Sequence, residues 1–306
     1  MIKCIKYKDI DFAKYDTCIR GASFYTVYAE SWYLKIVSPD GFDVLMWDDY
    51  KAVMPLPLQR QIGMSWVLQP PLCQQLGVFS KEPIPKDIFH QFEKNLHKCR
   101  VKAYNFNEEN TSLFFPKGAL RVNQVLALNK AYEEIKRGWS HDRKRDIALC
   151  TKQEVSVEEK FDNTLFYAFL KENYTYATDK FIQSPAIRAL VDRLHEMGLL
   201  KSFIARDKTG QPVALRLFLQ SGNRTILLMS ARDKKRNFRG AMTFLIDSMV
   251  KSIAGTDSLL DFEGSMLPGV QAFNSSFGAE KRHYTSYSNQ QWLLRLKAVF
   301  RKFLPK

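Results

Sequence analysis

The chain has 306 residues, with 46 Lys and Arg against 32 Asp and Glu, a formal charge of +14. Apolar residues make up 45%, aromatics 13% and charged residues 25%. This is ordinary globular usage, so whole-chain disorder, a collagen-like repeat and a disulfide scaffold are excluded. At roughly 100–200 residues per domain, the length allows one large domain or two medium ones.

The charge is uneven. Residues 1–115 carry 14 basic and 13 acidic side chains, which leaves 32 and 19 for residues 116–306. An excess confined to the second part suits an anionic partner: a phosphate-bearing cofactor, a nucleic acid or an anionic membrane surface. A solvated basic face is the alternative. The cysteines (Cys4, Cys18, Cys73, Cys99, Cys150) are odd in number and form no CxxC pair, and the five histidines form no HExxH. No metal site is expected, and reduced thiols fit a cytoplasmic protein. The N-terminus, MIKCIKYKDIDFAKYD, has no apolar core of signal-peptide length, and no apolar run reaches membrane-spanning length. A soluble, cytoplasmic protein is the expectation.

In chain order, aromatic-rich Phe24–Ile36 predicts a helix around Trp32. Asp43–Gln59 reads as a β-hairpin turning at Asp48-Asp49, and Ser65–Leu68 as a further strand. Gln69, Gln74 and Gln75 then set polar amides among Pro-Pro-Leu-Cys. They either line the acceptor side of a cleft or brace a loop. Periodicity breaks over Phe106–Val122, which reads as a linker. A strand at Val122–Leu128 and a helix from Ala131 through SHDRKRDIAL follow. Thr164–Asn173 and Ser184–Glu196 carry apolar residues at helical spacing. Ser202–Gln220 is a second hairpin, turning at Asp207–Gly210, and Thr225–Met229 a further strand. The order helix, helix, hairpin, strand, helix, strand therefore occurs twice, by duplication or by coincidence.

Ser230–Met249 runs from a strand through a basic turn into an amphipathic helix beginning near Gly240. A helix N-terminus offers free N–H groups and partial positive charge to a phosphate. Arg236 and Arg239 would add forked donors there, or simply make a solvated basic turn. Arg236, Gly240 and Ala241 in R-N-F-R-G-A resemble the pyrophosphate-binding turn of the GNAT acyltransferases, Q/R-x-x-G-x-G/A, although Arg239 takes the first glycine position.

Asp261-Phe262-Glu263-Gly264-Ser265 and Phe273-Asn274-Ser275-Ser276-Phe277-Gly278-Ala279 resemble the D-F-x-G-S…F-x-x-S-F-G-A pair of the FemAB/FemX-type branch of the GNAT superfamily. Arg143-Lys144-Arg145-Asp146-Ile147 is similar to that family's basic R-x-x-I helix. Val53–Pro57 and Gln69–Phe79 resemble the N-terminal domain of bacterial FemAB-like proteins. The resemblance implies an α/β (α+β) chain of tandem GNAT-like domains, each a mixed, mostly antiparallel sheet flanked by helices. Residues 1–115 would form the acceptor side and 116–306 the donor side.

It further implies an N-acyltransferase moving an acyl or aminoacyl group onto an amine, as on a peptidoglycan precursor. The donor would be aminoacyl-tRNA or acyl-CoA, with no tightly bound cofactor. Glu263 is the candidate general base, or a salt-bridged carboxylate. Tyr284 is the candidate acid, or a half-buried strand tyrosine. Gln69, Gln74, Gln75, Arg143, Arg145 and Ser265 are candidate substrate contacts, and Arg236, Arg239, Gly240 and Ala241 candidate donor contacts. No Ser-His-Asp or Cys-His constellation appears.

Trp292–Lys306 reads as a basic amphipathic helix that either packs on its own domain or touches an anionic membrane. Two alternatives stand beside aminoacyl transfer: an acyl-CoA-dependent N-acetyltransferase, and a non-catalytic tRNA- or membrane-binding protein on this fold.

Overall fold

The computed structural model describes residues 1–61, 63–173, 184–236 and 238–289. Trp292–Lys306, with its membrane-helix reading, lies outside them. The chain divides into two compact units, one of Met1–Arg121 with the return from His283, the other of Val122–Arg282.

The first unit opens with β1 (Lys3–Ile5), α1 (Phe12–Gly21) and α2 (Ser31–Val37). Asp11 caps α1 by accepting from the Lys14 N–H. Only Ser31–Val37 of the aromatic stretch becomes α-helix, because Val27–Ala29 tightens into a 3₁₀ turn just before it. β2 (Phe42–Trp47) and β3 (Ala52–Gln61) form the first hairpin. Its turn, Asp48-Asp49-Tyr50, holds three consecutive left-handed residues. β4 (Met64–Leu68), β5 (Phe79–Ser80), α3 (Lys86–Lys98), β6 (Val101–Phe106) and α4 (Glu108–Phe114) complete the segment. Phe106–Val122 is thus not a linker. Its polar Asn-Glu-Glu-Asn begins α4, where the Asn107 side chain accepts from the Asn110 N–H.

The second unit contains β7 (Ala119–Ala127), α5 (Tyr132–Arg137), α6 (His141–Lys152) and β8 (Ser156–Glu159). The single helix expected after Ala131 is two, because Gly138 ends α5 and Ser140 caps α6. After α7 (Asn163–Asn173) and α8 (Pro185–Glu196) come β9 (Leu200–Arg206), β10 (Pro212–Ser221) and β11 (Arg224–Arg232). Next are α9 (Ala241–Ile253), β12 (Leu259–Asp261) and α10 (Pro268–Ser275), after which β13 (Glu280–Tyr287) returns to the first unit from His283. Leu245, Ile246, Met249 and Val250 of α9 are buried in one cluster with Phe203, Ala214 and Phe218 of the sheet.

The strand order is β1-β2-β3-β4-β6-β13 in the first unit and β8-β9-β10-β11-β12-β7 in the second. Each sheet is antiparallel except for one parallel pair, β4 with β6 and β11 with β12. The corresponding element order supports duplication, with one exchange. The strand ending the first repeat, β7, pairs with β12, and the strand ending the second, β13, pairs with β6.

Among the described residues no helix is long and apolar enough to cross a membrane. All five cysteines are free. Burial pushes the Cys18 thiol up to about 11 and that of Cys150 up to about 12, which makes both poor nucleophiles.

Candidate functional site

The parallel pair β11–β12 stays in register for three residues, Arg224↔Leu259, Thr225↔Leu260 and Ile226↔Asp261, and then parts. The cause lies on the other side of β11. Leu217 of β10 pairs with Met229 and Phe218 with Leu227, so Leu228 is an extra residue, a β-bulge that bends β11 away. β12 stops at Asp261, and the chain leaves through Glu263 (φ 55°) and Gly264 (φ 46°), both left-handed.

Between the diverging strands lies a cavity of about 260 Å³, lined by Leu227–Ser230 on one side and Phe262–Ser265, Leu267 and Val270 on the other. Its end is fixed by a buried Asp261 carboxylate. Oδ2 accepts from Arg224 Nη1 at 2.7 Å and from Asn123 Nδ2 at 3.2 Å, and Oδ1 accepts from the Glu263 N–H at 2.9 Å. Glu263 and Ser265 therefore sit on the wall of the opening, both half-buried. Ser265 Oγ also accepts from the Leu267 N–H, which shapes the turn into α10.

In the first unit the equivalent opening is filled by the chain itself. Beyond Leu68, the Gln69 N–H donates to Ala103 O and the Leu76 N–H to Asn105 O, and Leu76 bridges Phe106 in parallel. The glutamine amides turn inward. Gln69 donates to Cys73 O and accepts from the Asn105 N–H, while Gln75 accepts from the Glu108 N–H and donates to Gln74 Oε1. Gln69, Gln74 and Gln75 are thus brought together, as a brace for residues 69–76 along β6.

A larger cavity, about 660 Å³, opens in the first unit among α1, the β2–β3 turn and residues 81–84. Two of its lysines, Lys14 and Lys51, are paired with Asp49 and Asp48. It adjoins no parting of strands, so size alone does not make it the reaction site.

The basic turn after β11 is strongly braced. Arg236 donates from Nε to Asp233 Oδ2 (2.6 Å), from Nη1 to Asp207 Oδ2 (2.7 Å) and from Nη2 to Pro212 O (2.6 Å). Its guanidinium orders the turn, while Arg239 and neighbouring Lys234 and Lys235 are exposed. Hydrogen bonds from Thr209 and the backbone, with Arg236, hold the Asp207 carboxyl below its ordinary value. Burial pushes the Asp233 carboxyl up, but bonds from Arg236 and the Lys235 and Arg236 N–H groups outweigh it, and its pKa also falls. Depressed carboxylate pKa values contribute order that is complete above the ordinary value of 3.8 and lost as pH falls through the folded values. Amide exchange at Lys235 and Arg236 is expected to be protected at neutral pH. That protection should vanish below the ordinary carboxylate pKa, before the α9 amides exchange.

Gly240 precedes α9 with an ordinary helical φ of −72°. What it permits is close helix packing: a Cβ there would lie 2.5 Å from Asp146 O and 3.0 Å from Cys150 Sγ of α6. Thr243 Oγ1 donates to Asp146 Oδ2 and accepts from Arg143 Nη1, and the Arg143 guanidinium lies 4.8 Å from the Phe273 ring. Arg143 thus pins the start of α9, whereas Arg145 is exposed and pairs with Asp142. Gly240→Ala is expected to force α9 and α6 apart and cost about 1–3 kcal/mol, read from the urea midpoint. Ala241 is wholly buried at the first turn. Tyr284 lies on the part of β13 that belongs to the first unit, half-buried.

Sequence reasoning missed Arg216 and Ser230. Arg216 interrupts Val-Ala-Leu-Arg-Leu-Phe-Leu, and its neighbours on that face, Ala214 and Phe218, are both buried. A charge at an inward position of a period-2 strand was the available signal. Among the described residues, no group of three His, Cys, Asp or Glu side chains is placed to hold a metal ion.

No protein-family model matches the chain, and no curated protein matches it in sequence. Solved structures do match its fold. FemX aligns with a TM-score of 0.62 at 11% identity, over 96% of this chain and 99% of that one. The C-terminal domain of a putative lysylphosphatidylglycerol synthetase from Agrobacterium fabrum aligns at 0.52 and 12%, over 94% and 95%. A tandem GNAT protein from the clavulanic acid biosynthesis pathway aligns at 0.51 and 10%, over 94% and 98%. The chain has the fold of FemX and of a tandem GNAT protein.

Proposed function

We propose that the protein is an N-acyltransferase whose second unit takes the acyl donor into the opening between β11 and β12. The observation that carries this is the asymmetry between the repeats: one opening lies clear beside Glu263 and Ser265, and the other is filled by residues 69–76. The fold likeness to FemX, to a putative lysylphosphatidylglycerol synthetase and to a tandem GNAT protein solved without AcCoA supports the same class.

An extended donor arm laid in the opening would meet the edge of β11 beyond Ile226, which has no β12 partner there. The acceptor amine attacks the acyl carbonyl and a C–N bond forms. The C–S or C–O bond to the leaving group then breaks, and that atom departs with the bonding electrons. Glu263 on the wall takes the ammonium proton, from which the leaving group is ultimately protonated. Exposed Arg239, Lys234 and Lys235, with Arg236 ordering their turn, would meet the phosphates of the donor near the start of α9. Both aminoacyl-tRNA and acyl-CoA fit that charge. The acceptor side is assigned to residues 1–115, which are near neutral, with a primary amine, such as that of a peptidoglycan precursor, as acceptor.

The test is calorimetric titration with acetyl-CoA, a long-chain acyl-CoA and aminoacyl-tRNA, together with mass spectrometry of a panel of amine acceptors. One donor is expected to bind and an acylated amine to form. A tRNA donor should bind more weakly as salt rises. Binding of tRNA or anionic vesicles with no acylated amine from any donor would favour the non-catalytic reading.

A further inference from the structure

Arg216 is 3% exposed, in the middle of β10. Its Nε donates to Met242 O at 3.2 Å and its Nη1 to Ser230 Oγ at 3.0 Å, and its guanidinium lies 5.8 Å from the Phe273 ring. Among the described residues no carboxylate pairs with it. Burial accordingly pulls its pKa down to about 9. Elsewhere in the same unit a buried arginine is paired: Arg224 has Asp261. An uncompensated charge in the interior weakens a fold unless something else needs it.

Ser230, directly across from Arg216 in the β10–β11 register, lines the opening. Its oxygen accepts from the guanidinium, so its own proton must point elsewhere. Among the described residues nothing accepts that proton. A hydroxyl pinned at its oxygen by a buried cation is a pre-oriented and strengthened donor.

Building on the transferase reading, we propose that Ser230 is a catalytic hydrogen-bond donor to the acyl carbonyl oxygen, and that Arg216 is its positioning residue. When the amine attacks, the carbonyl π electrons move onto that oxygen. Ser230 O–H donates to it without giving up the proton, and Arg216 supplies the charge that opposes the developing anion. The oxygen reforms the carbonyl as the leaving group departs, so the relay ends in the state in which it began.

The test uses acetyl-CoA and an aminoacyl ester of adenosine, each isotope-labelled at the carbonyl carbon and read by infrared difference spectroscopy. In the wild type, the bound carbonyl stretch should lie at lower wavenumber than in buffer. Ser230→Ala and Arg216→Met should each return it to the buffer position while the probe still binds, and Ser230→Thr and Arg216→Lys should keep most of the shift. In turnover, Ser230→Ala should lower kcat about 100- to 1,000-fold with little change in KM.

Arg216→Met should unfold no more easily than wild type, whereas a purely structural arginine would lower Tm when removed. If that variant does not fold, the comparison of Ser230→Ala with Ser230→Thr decides. A probe that binds with an unshifted carbonyl, or a shift that survives Ser230→Ala or Arg216→Met, would overturn the relay and leave the transferase reading standing. Failure of both probes to bind the wild type would overturn the two together.

Discussion

Asp261→Ala is expected to destabilise the second unit by about 3–5 kcal/mol, the cost of breaking a buried ion pair by removing one partner. Arg224 and Asp261 have side chains only 10% and 5% exposed and lie 2.7 Å apart. The same carboxylate also holds Asn123 of β7 and the Glu263 N–H. Removing it takes a buried carboxylate away from the Arg224 guanidinium and frees the chain that enters the opening. The urea midpoint, with unchanged m, is the measurement. Replacing both partners, with Arg224→Met and Asp261→Leu together, should recover much of the loss, since a well-packed apolar pair is often no worse than the buried ions. A double variant as unstable as the single one would mean that the bonds to Asn123 and Glu263 matter more than the charge.

Gly264→Ala should cost about 2–4 kcal/mol, through two separable causes. Its φ of +46° disfavours any side chain, and a Cβ would lie 2.1 Å from Val122 O and 2.5 Å from Asn123 Cα, all of it backbone. Gly210 provides the comparison: its φ is +82°, but nothing lies within 4 Å of an added Cβ. Gly210→Ala should therefore show only the conformational cost, about 1 kcal/mol. The difference between the two variants isolates the clash of the β12 exit against β7. Because that exit carries Glu263 and Ser265, Gly264→Ala should also weaken donor binding, and Gly210→Ala should not.

The hairpins could be read from the sequence because period-2 alternation and turn residues are local signals: Asp48-Asp49 and Asp207–Gly210 both fall where the turns are. The end of β12 was marked instead by the resemblance of Asp261–Ser265 to a family pattern. Other features were hidden for definite reasons. Asn107 caps a helix, but its polar neighbours read as a break in periodicity. Ser140 divides two helices whose residue types, taken together, suit one. The pairing of Thr285 with Phe106 joins distant parts of the chain, and no local pattern encodes such a partner. The bulge at Leu228, which creates the opening, sits in an uninterrupted apolar run with no glycine to mark it. Whether an amide run such as Gln69–Gln75 faces a ligand or its own backbone is decided only by what β6 offers it.

In the proposed reaction one repeat receives the donor and the other is closed to it. A crystal structure of the protein with a hydrolysis-resistant analogue of whichever donor binds in solution tests this most directly. The acyl end is expected between Leu227–Ser230 and Glu263–Ser265, its carbonyl oxygen within hydrogen-bonding distance of Ser230 Oγ, with residues 69–76 still seated along β6. A donor lying along β6 with those residues displaced, or in the cavity beside α1, would contradict it.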